Sequence, residues 1–289
     1  MKMKSIISIL LSAAIASAAM SCSDGNSGAE QPVGNEISFV CSFAATGRAT
    51  DTSFEPDDRI GVYIVRDGAT LELGGNELNN ELFTFDGSSW KSSRKVYWNE
   101  GSHDVFAYYP YGKKVNDTRN YTFAVQTDQS EHSGLTASDF VWASASGVEA
   151  SESPVPLQFS HRLSKVVVRL EKSDDFKGDI PSDCEVYIHS TVGRALVDLS
   201  TGDVMRDNDS GTVTVKACKT APCEYQAIVV PQNLSSRRPL VEVVTEGVSY
   251  LMEGTISFRQ GCSHSVVVTL TRNPEQTKIE IGGSIGGWN

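Results

Sequence analysis

Ile37-Ser-Phe-Val-Cys-Ser-Phe43 places an apolar side chain at every second position, with serine or an opposite-facing valine between them. A period of two is the signature of a strand with one face against a core, because successive side chains leave a pleated backbone on opposite sides. Cys41 falls in phase with Ile37, Phe39 and Phe43 and is expected to face that core as a small hydrophobe. The same kind of segment recurs along the chain: Ile60–Val65, Val105–Tyr109, Tyr121–Val125, Leu163–Leu170, Cys184–Ile188, Val213–Ala217, Tyr225–Val230, Leu240–Val244 and Ser265–Leu270. Each is short, rich in β-branched or aromatic residues, and bounded by Gly, Pro, Asn, Asp or Ser. Past the first twenty residues no window of a dozen carries a helical apolar stripe. The chain therefore reads as all-β, in β-sandwiches. A turn-rich stretch, Ala143–Pro156, separates two strand groups of similar size. The division is expected at 155/156, giving an N-terminal sandwich over 36–155 and a C-terminal one over 156–289.

Ahead of the first strand the composition changes. Lys2 and Lys4 form a basic head, Ile6–Ala19 an apolar segment broken only by serines, and small residues follow. The apolar run is too short to remain as a membrane span and reads as a secretory signal peptide over 1–21. Ala19-Met20-Ser21-Cys22 resembles a bacterial lipobox, which would make Cys22 the acylated first residue of the mature chain. Two or three acyl chains bury enough methylenes to hold a protein on a membrane. Residues 22–35 are polar and glycine-bearing, as in a flexible tether. Ser23-Asp24 matches the start of a surface-export signal of Bacteroidetes lipoproteins, whereas Gly25 and Asn26 depart from its acidic run.

The 289 residues carry a formal charge of −11, and loss of the two leader lysines makes the mature chain about −13. That balance argues against nucleic acid, which wants basic patches. It also leaves the acyl group as the only expected membrane contact. With Cys22 assigned to lipid, Cys41, Cys184, Cys218, Cys223 and Cys262 remain, an odd set that cannot pair completely within the chain. Cys218 and Cys223 flank a short Lys-Thr-Ala-Pro loop and are a candidate bridge; buried free thiols are the alternative.

Catalytic signatures are absent from the sequence. There is no nucleophile elbow and no phosphate-binding glycine loop. Gly261-Cys-Ser-His-Ser265 has serine where an elbow requires glycine. Cys218, Cys223, Cys262 and His264 lack a structural-zinc spacing. Asp57-Asp58, Asp174-Asp175 and Asp207-Asn208-Asp209 read as turn acids rather than a calcium loop. His161 shares a face with Phe159 and Leu163 and reads as a core histidine. No enzyme, metal or cofactor is expected.

Four phrases in order carry a resemblance. They are Thr46-Gly-Arg48-Ala-Thr50 followed by Phe54-Glu-Pro-Asp-Asp58-Arg-Ile60-Gly61-Val62-Tyr63; Tyr97-Trp98 with Phe106-Ala-Tyr108-Tyr109-Pro110-Tyr111; Asp128-Gln129-Ser130 with Ser138-Asp139; and Phe159-Ser-His161-Arg-Leu163-Ser-Lys165-Val166. Together they resemble the fimbrillin-like, Mfa-like lipoproteins of the Bacteroidetes fimbrial subunit superfamily, with Asp57 standing where that family usually has glycine. The resemblance implies two tandem transthyretin-like Greek-key β-sandwich domains. It also implies an outer-membrane, surface-exposed fimbrial subunit or adhesin that assembles by β-strand addition. Cleavage after Arg48 would free the first strand and the lipid together, and the tail carrying Ile279, Ile281 and Ile285 is the candidate donor strand. The implied partners are other fimbrial subunits or host and bacterial surface ligands. A surface glycan-binding lipoprotein using Trp90, Trp98, Trp142 or Trp288 as stacking platforms is the alternative.

Overall fold

The computed structural model describes residues 34–44 and 53–288. The first group of elements is β1 (Phe39–Phe43), β2 (Arg59–Arg66), β3 (Leu78–Phe85), β4 (Trp90–Ser92), β5 (Ser102–Tyr109), β6 (Tyr121–Ala124), the one-and-a-half-turn helix α1 (His132–Ala137), β7 (Val141–Glu149) and β8 (Val155–His161). The second is β9 (Ser164–Lys172), β10 (Glu185–Val192), β11 (Arg194–Val197), β12 (Val204–Arg206), β13 (Thr212–Lys216), β14 (Cys218–Ala221), β15 (Glu224–Val229), β16 (Gln232–Thr245), β17 (Val248–Phe258), β18 (Cys262–Leu270) and β19 (Lys278–Gly287). The all-β reading holds.

Seven strands form one sheet in the order β1-β8-β7-β5-β2-β3-β4. It curls on itself: Phe39 of β1 meets Phe83 of β3 edge-on at 5.0 Å, although the two strands lie toward opposite ends of the strand order. The enclosed core holds Ile37, Phe39, Ile60, Val62, Ile64, Trp90, Trp98, Val105, Leu157 and Phe159. A second core lies between the sheets β14-β15-β9-β18-β19 and β13-β10-β16-β17, where Val166, Val168, Leu170, Val186, Ile188 and Val268 interdigitate. A third core joins the two strand groups, bringing Tyr63, Val65, Tyr108 and Trp142 against Leu163, Ala195, Val197, Ile228 and Trp288. This third core explains why Ile60–Val65 is continuously apolar instead of alternating. Ile60, Val62 and Ile64 face one core while Tyr63 and Val65 face another, so both faces of β2 are covered.

Two further links cross between the groups. β6 pairs antiparallel with β11. The fully buried Gln129 side chain donates to the Ile228 carbonyl and accepts from the Ile228 N–H, both at 2.8 Å, acting as a surrogate strand neighbour. The expected 155/156 division falls inside β8, a continuous strand whose residues Val155–Phe159 pair parallel with β1 and whose last two pair with β7. The stretch Ala143–Pro156, read as turns, requires correction. β7 runs on to Glu149, and the turn is confined to the few residues before Val155. Small residues in Ala-Ser-Ala-Ser-Gly carry little strand propensity, yet pairing with β5 supplies the ladder that propensity does not.

Gly61 sits in regular register between β3 and β5, so it is a point of close approach rather than a bulge. A Cβ there would lie 2.4 Å from the Tyr108 ring and 2.6 Å from Asn80 Oδ1. Tyr108 Oη donates to Asn80 Oδ1 at 2.7 Å, which fixes the ring over the glycine. Gly61→Ala is expected to destabilise the protein by about 1–3 kcal/mol, measured by urea unfolding; an unchanged midpoint would show that the ring shifts freely.

Candidate functional site

The site sits at the chain's two structural ends. β1 is the margin of the seven-stranded sheet, paired in parallel with β8 from Phe39 opposite Val155 to Phe43 opposite Phe159. Its start is also stitched to the segment after β4, where Ile37 N–H donates to Val96 O at 2.9 Å and Trp98 N–H to Asn35 O at 3.0 Å. Gly34 is required there, because a Cβ would lie 2.2 Å from the Trp98 carbonyl oxygen. Beyond this stitch, ladder bonds among the described residues hold one side of β1, and Val40 projects outward at 56% exposure.

The apolar face of β1 does the remaining work. Ile37 and Phe39 are buried, and Cys41 and Phe43 pack on the same core. Fully burying such side chains contributes roughly 1.5–3 kcal/mol each. Phe43 meets Phe54 at 4.9 Å and stacks on His161 at 5.5 Å. Burial pushes the Cys41 thiol up to about 12.

At the other end, β19 is the margin of the five-stranded sheet, antiparallel to β18. Ile279 and Ile281 pack on the second core. Ile281 fills a notch at Gly254 of β17: a Cβ there would lie 2.5 Å from Ile281 Cδ1. Ile285 lies in the same strand. Next comes Trp288, 3% exposed, whose N–H donates to Gly261 O at 2.8 Å. Its ring lies on the His161 imidazole, 4.0 Å between centroids and 8° from parallel, and the Lys165 ammonium sits 4.9 Å from its centroid. His161 Nδ1 is 2.9 Å from Asp139 Oδ1. One imidazole thus touches aromatic rings from both the first and the last strand regions. Beside it lies a cleft of about 130 Å³ walled by Phe43, Phe54, Asp58, Tyr109, Asp139 and Trp288. Burial raises the Asp58 carboxyl despite the N–H of Glu55 that it accepts, and burial raises the neighbouring Tyr109 phenol as well.

Of the residues singled out in the sequence, Cys22 and Arg48 lie outside the described residues. Ile279 and Ile281 are seated in the chain's own sheet. His161 is a core histidine, though one with a charged neighbour. Trp90, Trp98, Trp142 and Trp288 are all buried, so none offers a ring face to a sugar. Cys218 and Cys223 pack on different cores, and all five described cysteines are thiols. No cluster of metal-ligating side chains occurs among the described residues. The turn acids act as turn acids: Asp207 accepts from Asp209 N–H and pairs with Arg194 at 2.9 Å. Sequence reasoning missed the Gly254 notch and the packing of Phe43 and Trp288 on one imidazole. Period-two phasing of Phe159 and His161 was a signal for one side of that contact only.

The architecture defines a fold, an all-β one also seen in a crystal structure of a candidate cell adhesion protein from Bacteroides ovatus (TM-score 0.70, 22% identity, 89% of this chain and 98% of that one). A second, from Bacteroides uniformis, agrees (TM-score 0.68, 18% identity, 90% and 100%). The chain belongs to the fimbrillin-like family, whose sequence profile matches residues 47–288. A Bacteroides ovatus protein named as a candidate fimbrium tip subunit is 31% identical over 134 residues, 41% of this chain. A Bacteroides uniformis protein named as a candidate fimbrium subunit is 25% identical over 158 residues, 52% of this chain. The aligned stretches span 24% and 50% of those relatives' own lengths.

Cys41 reports on the seating of β1. With its thiol held near 12 by burial, alkylation by iodoacetamide at pH 8 is expected to run at least about tenfold slower than in the unfolded chain. Peptide mass mapping after timed quenching measures it; labelling at the unfolded rate would mean that β1 is not docked in solution.

Proposed function

We propose that the protein is a lipid-anchored fimbrial subunit or adhesin of the outer membrane, surface-exposed and without enzymatic activity, that joins neighbouring subunits by strand addition. The observation that carries this reading is β1. Among the described residues it is an edge strand that fills an apolar groove from one side, with a ladder to β8 along its length. Removing it bares Phe83, Trp98, Leu157 and Phe159 together with the unpaired backbone edge of β8. A groove of this kind demands an extended occupant with alternating apolar side chains. The names of the two Bacteroides relatives support the fimbrial assignment.

In this reading Cys22 carries the acyl anchor, and cleavage after Arg48 releases the anchor and β1 in one cut. The tail with Ile279, Ile281 and Ile285 is the segment lent to the next subunit. Partners are other fimbrial subunits and host or bacterial surface ligands. Nucleic acid is excluded by charge, and the membrane is touched only through the lipid.

Incubation with an arginine-specific protease is expected to release a fragment ending at Arg48, read by mass spectrometry, and to convert monomer into a ladder of multimers on unboiled gels. A fragment that stays bound with no multimers would refute strand exchange. In cells, Cys22→Ala is expected to move the protein out of the membrane fraction. Retention there would remove the anchor from this account.

A further inference from the structure

We infer that His161 couples the two ends of the chain, so that departure of β1 loosens the end of β19. The inference rests on the preceding reading that β1 is the strand that leaves. Phe43 stacks on His161 at 5.5 Å with planes 27° apart, and Trp288 stacks on the same ring at 4.0 Å. The imidazole is 2% exposed and tethered by Asp139, so it cannot swing away to keep one partner when the other goes. Phe43 therefore contributes to keeping the Trp288 seat dry.

The far end of β19 is held by its ladder to β18, from Gly283 opposite Ser265 to Gly287 opposite Cys262. Between Ile281 and Trp288 run Gly282-Gly283-Ser284-Ile285-Gly286-Gly287, four glycines in six positions. Glycines bring no side chain to bury and lose the most conformational freedom on ordering. The near end is pinned by Ile279 and by Ile281 in the Gly254 notch, and the far end by Trp288. Among the described residues, His161 Nε2 and Trp288 Nε1 are buried without a hydrogen-bond partner. When Phe43 departs, water reaches this site and satisfies such groups, which favours the opened arrangement. The vacant groove and the loosened tail then arise in one subunit from one event, with the near end of β19 still attached.

Hydrogen exchange followed by mass spectrometry on the full, uncut chain tests the coupling. Phe43→Ala is expected to accelerate exchange in peptides covering 278–288 by about two- to tenfold, the range an aromatic pair is worth. Phe43→Leu, which keeps the bulk and loses the ring, is expected to give a smaller increase and serves if the alanine variant does not fold. Phe39→Ala reaches β1 by another route: it weakens the strand through its contact with Phe83, away from His161, and is expected to accelerate exchange in 37–44 and, as β1 opens, in 278–288 by less than Phe43→Ala does. Exchange in 278–288 that stays at the wild-type rate while exchange in 37–44 rises, in both Phe43 variants, overturns the inference. That result does not bear on cleavage or assembly, which the protease experiment reads separately.

Discussion

A strand at the margin of a sheet has a row of N–H and C=O groups that no ladder satisfies, and the architecture is organised around that fact. β1 meets it with solvent on one flank, β8 on the other, and an apolar face driven into the first core. The curl of the seven-stranded sheet, the stitch at Ile37 and the glycine at position 34 all serve to close this margin. What keeps β1 in place is mainly burial, which is non-directional. Backbone hydrogen bonds set its register but not its identity. Any extended segment with the right alternation satisfies the same physics, and an edge strand becomes a replaceable part.

The rest of the body is held together without help from that margin. The third core, the β6–β11 pairing and the Gln129 clamp bind the two strand groups through contacts that do not involve β1. β2 is the hub: apolar on both faces, it stands between two cores, and Tyr108 locks over its glycine.

The ten segments with strong β-branched or aromatic patterning each overlap a strand, running past it by no more than two residues, because in them propensity, period and pairing agree. Strands with weak local signals were not legible. β3 reads Leu-Asn-Asn-Glu-Leu-Phe-Thr-Phe, and β7 is half alanine, serine and glycine; both owe their conformation to partners on either side. The candidate site was legible in its parts and not in its assembly. The alternation of Ile37–Phe43 and the pair Ile279 and Ile281 are local patterns that one strand displays. The meeting of Phe43, His161 and Trp288 joins residues hundreds of positions apart, and the notch at Gly254 is visible only as room left for a side chain on another strand.

The direction of β1 has a thermodynamic meaning of its own. It runs parallel to β8, whose hydrogen bonds are slanted and slightly weaker per residue than those of an antiparallel pair. The chain therefore occupies its own groove through the weaker of the two ladder types, and the apolar face of β1 has to supply the hold that slanted hydrogen bonds do not.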